Sequence, residues 1–292
     1  MSVIYLVCEG TASDLDLAAL EPLMEKLCES HDLVVEPAGG WEQIAAVAMY
    51  LRDREKGSRV LSVRDRDFDL SREEADARWQ SGSDALAWRR FEIENYLLDP
   101  RVVGDTLRAI SGGPKIRWPA SLNAVLDDPI GVLAEVASGW LDHYAGQRCQ
   151  KWLWSQHRDV ASRLDDMGDV THPPWGEGKW AAWLDDRARG LLSNFAPLVA
   201  DPEAEVARTL TKLREFTQAA RDPAFIASGA FLIDMPGKEL LRALMDWLSR
   251  KGVSGMDSND LGRYLVDSLV NAYTPGFFAP TDDFAELAAR FR

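Results

Sequence analysis

Two acidic groups stand where a sheet could use them. Glu9-Gly10 directly follows the apolar run Val3-Ile4-Tyr5-Leu6-Val7-Cys8, and Arg64-Asp65-Arg66-Asp67-Phe68-Asp69 directly follows the run Arg59 to Val63. In a doubly wound sheet with right-handed crossovers, ligands bind beyond the carboxyl ends of the strands, where strand order reverses. If the first and third strands are neighbours there, Glu9 is brought against Asp65 and Asp67. An extended backbone puts Asp65 and Asp67 on one side and Arg66 on the other. Carboxylates crowded in this way repel unless they are protonated or bridged by a cation, and an all-oxygen set suits Mg²⁺ or Mn²⁺. Such an ion polarises a phosphoryl oxygen and activates water. A D-x-D pair alone equally describes a solvated loop capping a strand; its match with Glu-Gly after another strand gives it weight.

The elements that must position these acids are legible as two regimes. Over residues 1 to 100, short apolar runs alternate with helical segments, the pattern of a parallel α/β sheet with helices on both faces. Strands are expected at Val3–Cys8, Leu33–Glu36, Arg59–Val63 and Ala87–Phe91. A helix is expected to run to about Glu29, either kinked at Pro22 or starting near Leu20 with Pro22 in its first turn, and a second from Trp41 to about Arg54, closed by Gly57. From 101 to 228 helical patterns dominate, and seven of the eleven tryptophans fall between Trp118 and Trp183, which reads as a helical insertion. Trp140, Trp152, Trp154, Trp180 and Trp183 imitate a base-stacking platform, but aromatics at these spacings read as core or interface residues. Phe231-Leu232-Ile233 reads as a return to the sheet. It is followed by Met235-Pro236-Gly237-Lys238, a helix from Glu239 to Arg250 and a C-terminal helical segment over 251–292.

Composition limits the function classes. The chain has 292 residues, 46% hydrophobic, enough for a large core, and its net charge of −14 argues against a general nucleic-acid coat protein. A nuclease working through metal ions and a local basic surface stays open, and Arg64, Arg66, Arg89 and Arg90 are the candidates for that surface. Equally, these arginines pair with neighbouring acids. No apolar run reaches a membrane span and no signal-peptide pattern opens the chain, so a soluble cytoplasmic protein is expected. Cys8, Cys28 and Cys149 lack C-x-x-C spacing, which indicates neither a disulfide framework nor a zinc site. His143, Cys149 and His157 match no metal-ligand spacing, and His31 and His172 stand apart.

The ordered set of strand–Glu9-Gly10, strand–Asp65-Arg66-Asp67, Phe91-Glu92-Ile93-Glu94-Asn95-Tyr96-Leu97-Leu98 and Pro236-Gly237-Lys238-Glu239-Leu240-Leu241 resembles the Toprim domain. The resemblance is to its OLD (overcoming lysogenization defect) nuclease branch. Within that branch it is similar to the AriB-type effectors of PARIS anti-phage systems, encoded beside ABC-type ATPases. The likeness covers residues 1–100 and about 229–250. It implies a Toprim-like, Rossmann-like fold and an Mg²⁺- or Mn²⁺-dependent endonuclease. Glu9 would be a metal ligand or general base, Asp65 and Asp67 metal ligands, and Glu94 a further acid at the site. Lys238 would meet the scissile phosphate. The family places another acid soon after the first Glu-Gly; Asp14 and Asp16 are the candidates, with Asp16 preferred. Glu94 also fits an acid at a helix start, and Lys238 belongs to no P-loop. The resemblance further implies an ATPase partner, a nucleic-acid substrate with transfer RNA favoured over DNA, and a homodimer. A catalytically silent Toprim-fold scaffold or sensor is the alternative. A haloacid-type phosphatase is disfavoured, because its D-x-D follows the first strand. Topoisomerase and primase activities lack the tyrosine domain and the zinc module they need.

Overall fold

The computed structural model describes residues 3–11, 15–28, 32–68, 70–156 and 201–291. Four parallel strands form one sheet in the order β2-β1-β3-β4: β1 (Ile4–Cys8), β2 (Leu33–Pro37), β3 (Arg59–Arg64) and β4 (Ala85–Ala87). Ile4 to Cys8 pair with Leu33 to Pro37 on one side and with Arg59 to Val63 on the other, so β1 is buried between neighbours. Continuous apolar runs suit strands covered on both faces. The architecture is Rossmann-like α/β. From β1 the chain moves outward to β2, then crosses back over β1 to β3. Strand order therefore reverses between β1 and β3, and Glu9 and Asp65 emerge side by side at that switch point.

The crossover helices are α1 (Leu15–Leu27), α2 (Trp41–Arg54) and α3 (Arg72–Gln80). Beneath α2, Ile44, Ala48 and Leu51 pack on Val7 and Val60, with Tyr5 and Val47 beside them. The right-handed crossover carries α1 to the other face, where Ala19, Leu20, Leu23 and Met24 are buried. Pro22 lies inside α1, so of the two alternatives the start near Leu20 is the one not taken. The helix starts further upstream than its proline suggests because its first turn carries the buried Asp16 and its stripe is fixed by packing. A capping box of Ser71 with Glu74 starts α3.

Two other expectations are corrected. The fourth strand is Ala85–Ala87, upstream of and shorter than the expected Ala87–Phe91. Phe91 instead donates its N–H to Ile233 O at 2.8 Å, outside the sheet. Phe231–Asp234 is a single helical turn, not a strand. Its apolar residues are dictated by burial, which a strand and a buried turn share.

Backbone contacts divide the chain into two compact units, residues 1–136 with 232–292, and residues 137–231. Residues 101–136 and 251–292 thus belong with the sheet. They include α5 (Pro100–Ser111), which packs against the Ser258–Ala272 helix, and α4 (Glu94–Leu97) precedes it. In the second unit the Leu141–Gln156 and Pro202–Ala220 helices pair around Cys149, Leu213 and Phe216. There Trp140 lies against His143 and Trp152 under Arg208, so both have protein partners. Trp175, Trp180, Trp183, His157, His172 and the side chain of Trp154 lie outside the described residues. Cys149 turns into the core toward Thr209 O (3.4 Å), and burial pushes its thiol up to about 12. No helix among the described residues is long and apolar enough to cross a membrane.

Candidate active site

Among the described residues, the carboxylates of Glu9, Asp16, Asp65, Glu92 and Glu94 meet the Lys238 ammonium beyond the ends of β1 and β3, with Asp67 beside them. Asp65 donates its backbone N–H to Glu9 Oε2 at 3.3 Å, which ties the ends of the two strands together. Lys238 Nζ stands 3.5 Å from Asp65 Oδ2, 3.9 Å from Glu94 Oε1 and 4.0 Å from Asp16 Oδ2. Glu92 Oε2 accepts the Lys238 backbone N–H at 2.9 Å. Asp16, Asp65, Glu92 and Glu94 are all buried, Glu94 with 2% of its surface exposed, and Glu94 Oε2 has no hydrogen-bond partner.

Local structure explains how the groups arrive. After Arg64 the chain leaves the strand, and Asp67 takes a left-handed φ of 51°. Asp65 faces Lys238, Asp67 acts electrostatically on Glu9 and Glu92, and Arg66 turns the other way. Arg66 donates to Ile233 O at 2.9 Å and to Asp234 Oδ1 at 2.7 Å, and Arg72 binds the same Asp234 carboxylate. Asn95 acts as a second clamp. Its Oδ1 accepts from the Glu92 N–H (2.9 Å), while Nδ2 donates to Leu232 O (3.0 Å) and Met235 O (2.9 Å). The Gly237–Arg250 helix has no capping side chain on its N-cap residue, so Glu92 satisfies its first turn and sets Lys238 in place.

Two predictions arise from this scaffold. A Cβ at Gly237 would fall 2.8 Å from Asn95 N, from Asn95 Oδ1 and from Glu94 Cβ. Backbone cannot yield as a flexible side chain does, so Gly237→Ala should cost about 1–3 kcal/mol in urea unfolding. Asp234→Ala leaves the buried Arg66 guanidinium without its counter-charge and should cost about 3 kcal/mol by the same measurement.

The electrostatics are those of an anionic pocket. Burial, followed by the charge of Asp67, raises the Glu9 pKa. Burial, followed by Asp16 and Glu92, raises Asp65 and Glu94 well above the ordinary carboxylate range. Glu92 is pushed up to about 7, chiefly by burial. For Lys238, burial alone would lower the pKa, but Glu94, Asp65, Asp16 and Glu92 outweigh it and hold the ammonium charged. Burial and the neighbouring acids push the Cys8 thiol up to about 12, which makes it an inert core residue.

The expected residues Glu9, Asp16, Asp65, Asp67, Glu94 and Lys238 are thus gathered in one place; Asp14 and Asp69 lie outside the described residues. The expected basic surface is not gathered with them. Arg66 is buried against Asp234, and Arg90 donates to Asn95 O at 2.6 Å and stacks on Tyr96 and Phe278. Arg89 pairs with Asp76, Asp283 and Glu286. The Arg66 and Arg89 guanidinium groups are held by acids distant in sequence, and that of Arg90 by the nearby Asn95 carbonyl and Asp99. Arg64 stays at the rim of the site, stacked on Trp41. Sequence reasoning missed the roles of Glu92, Asn95 and Asp234; the Glu92-Ile93-Glu94-Asn95 run carried the only signal for the first two.

Among the described residues, no group of three or more His, Cys, Asp or Glu side chains is gathered closely enough to hold a metal ion as it stands. The donor set nevertheless fits a hard divalent cation. It is all oxygen and anionic, and the buried Glu94 Oε2 lacks a partner that a cation would supply. Glu9, Asp16, Asp65 and Glu94 are the residues that would hold it. Neither a scan of protein-family models nor a search of curated proteins finds a match to the chain.

Proposed function

We propose that the chain is a Toprim-type, Mg²⁺-dependent endonuclease of the OLD branch, working as the effector of an anti-phage system under an ABC-type ATPase. The observation that carries this reading is the gathering of Glu9, Asp16, Asp65, Glu92 and Glu94 around Lys238 at the switch point between β1 and β3. When bound, Mg²⁺ would polarise a phosphoryl oxygen and lower the pKa of a water. Glu9, half-buried and with a raised pKa, suits the role of accepting the proton of the attacking water. The Lys238 ammonium suits the negative charge that develops on the phosphate and on the leaving oxygen. Glu92 and Asn95 hold Lys238 in register for that role. Transfer RNA is the favoured substrate and DNA the second, both from the family resemblance, which also suggests a homodimer in the cytoplasm.

One observation favours a second reading, a catalytically silent scaffold or sensor: Lys238 already supplies a positive charge within 4.0 Å of three carboxylates. One assay separates the two. Wild-type protein and Glu9→Ala are incubated with bulk transfer RNA and with plasmid DNA, in Mg²⁺, Mn²⁺ or EDTA, with the ATPase present. Metal-dependent cleavage reduced at least ~100-fold in Glu9→Ala supports the nuclease. No cleavage by the folded wild-type protein under any condition supports the scaffold.

A further inference from the structure

Trp41 is 43% exposed and opens α2, immediately after Gly39-Gly40. Two reciprocal backbone bonds of 2.8 Å join Gly39 to Gly10, the residue after Glu9. On its other side, the Arg64 guanidinium lies 5.2 Å from the Trp41 ring centroid, and Arg64 directly precedes Asp65. An exposed aromatic is ordinary in itself; this one is tied through Gly39–Gly10 and through Arg64 to the residues that adjoin Glu9 and Asp65. A Cβ on Gly40 would meet nothing within 4 Å, so the backbone just before Trp41 borders open space. The other large apolar side chains exposed among the described residues are Val34, Met49, Tyr50 and Ile130.

From this placement we infer that Trp41 is a base-stacking residue, and that the site takes a nucleic-acid segment with an unpaired nucleobase next to the bond it cuts. The inference rests on the nuclease reading and deepens it. An indole gives any base a π-face without demanding a particular sequence, and Arg64 adds the charge that a neighbouring phosphate needs. A duplex keeps its bases stacked on each other and cannot offer one to Trp41 without unpairing it. Selectivity for loops, ends or single strands follows from that one side chain. A protein with a net charge of −14 gains little from general electrostatic attraction, so a local stacking contact weighs more in its binding.

The test is fluorescence anisotropy of a labelled single-stranded oligonucleotide and of a blunt duplex of equal length, at low salt with Ca²⁺ in place of Mg²⁺ to suppress cleavage. Full-length wild type, Trp41→Ala, Trp41→Met and Trp41→Tyr are compared after their thermal melts are matched. Base stacking is worth about 1–3 kcal/mol, so Trp41→Ala should bind the single strand roughly 5- to 150-fold more weakly. Trp41→Met, which keeps apolar bulk but no ring, should lose a similar factor, while Trp41→Tyr stays within about threefold of wild type. Tight binding by wild type with unchanged affinity in Trp41→Ala or Trp41→Met overturns the stacking role and leaves the nuclease reading standing. Failure of wild type to bind either nucleic acid overturns both.

Discussion

Glu94→Gln should raise the midpoint of thermal unfolding at pH 8 and at the same time remove most of the further rise that Mg²⁺ gives the wild-type protein. Glu94 is buried, one of its oxygens has no partner, and its neighbours Asp16 and Glu92 are acids. Its pKa is therefore raised, and keeping it ionised in the folded state is costly. An amide of the same shape removes the charge and donates to the surrounding carboxylates. A gain of roughly 1–2 kcal/mol corresponds to about 2–8 °C for a unit of this size. The sign of the pH dependence follows. Glu92 titrates near 4.5 when unfolded and is raised to about 7 when folded, so the native state binds more protons across that window. Its contribution to stability is present at low pH and is lost as pH rises from about 4.5 through about 7; Asp65 and Glu94 extend the loss further up. A divalent cation replaces those protons, so the Mg²⁺-induced rise in wild type should be larger at pH 8 than at pH 5.5. At 100 times its Kd, Mg²⁺ would add about 2.7 kcal/mol. Scanning fluorimetry at both pH values, with Mg²⁺ or EDTA, checks each part. A Glu94→Gln protein that melts lower than wild type and still responds fully to Mg²⁺ contradicts it.

Lys238→Met should act in the opposite direction on the metal-free protein. It removes the one ammonium among the described residues that faces Asp16, Asp65 and Glu94, and those acids are left to repel one another. The Lys238 side chain is 44% exposed, so solvent screening reduces the cost from that of a fully buried pair to about 1–2 kcal/mol at pH 8. Near pH 5.5 the same acids take up protons and the cost shrinks. Mg²⁺ should recover the loss, because a cation takes over the counter-charge. Cleavage should not recover: a donor aimed at developing negative charge is worth about 10²–10³ in rate. Thermal melts and cleavage rates measured on the same preparations separate the two roles. A variant whose instability Mg²⁺ does not relieve argues that Lys238 is tied to something other than the acid cluster.

The fold was legible where burial dictated sequence. β1 reads as a continuous apolar run and β3 as a short apolar stretch broken by Ser62, because both lie inside the sheet, and the acids at their ends are placed by the strands that precede them. Ala85-Leu86-Ala87 was missed as a strand because it is short and lacks the β-branched and aromatic residues that mark one. Phe231-Leu232-Ile233 was misread because an apolar triplet serves a buried turn as well as a strand. At the site, carboxylates with a characteristic spacing were visible, and their partners were not. Arg66 is neutralised by Asp234, 168 residues later in the chain, and no local pattern announces that contact. Of the four arginines, Arg66, Arg89 and Arg90 take the pairing that the sequence left open as the alternative to a basic surface. Asn95 and Glu92 work by bracing the 232–238 segment, a role that exists only once both segments are folded.

Calorimetric titration of Mn²⁺ into the wild-type protein and Asp65→Asn at pH 8 tests the central claim most directly. The acid cluster predicts saturable binding to wild type that is at least about tenfold weaker in Asp65→Asn, which loses one carboxylate ligand while keeping the side-chain shape. Absence of binding to the folded wild-type protein, or equal binding by both proteins, would contradict it.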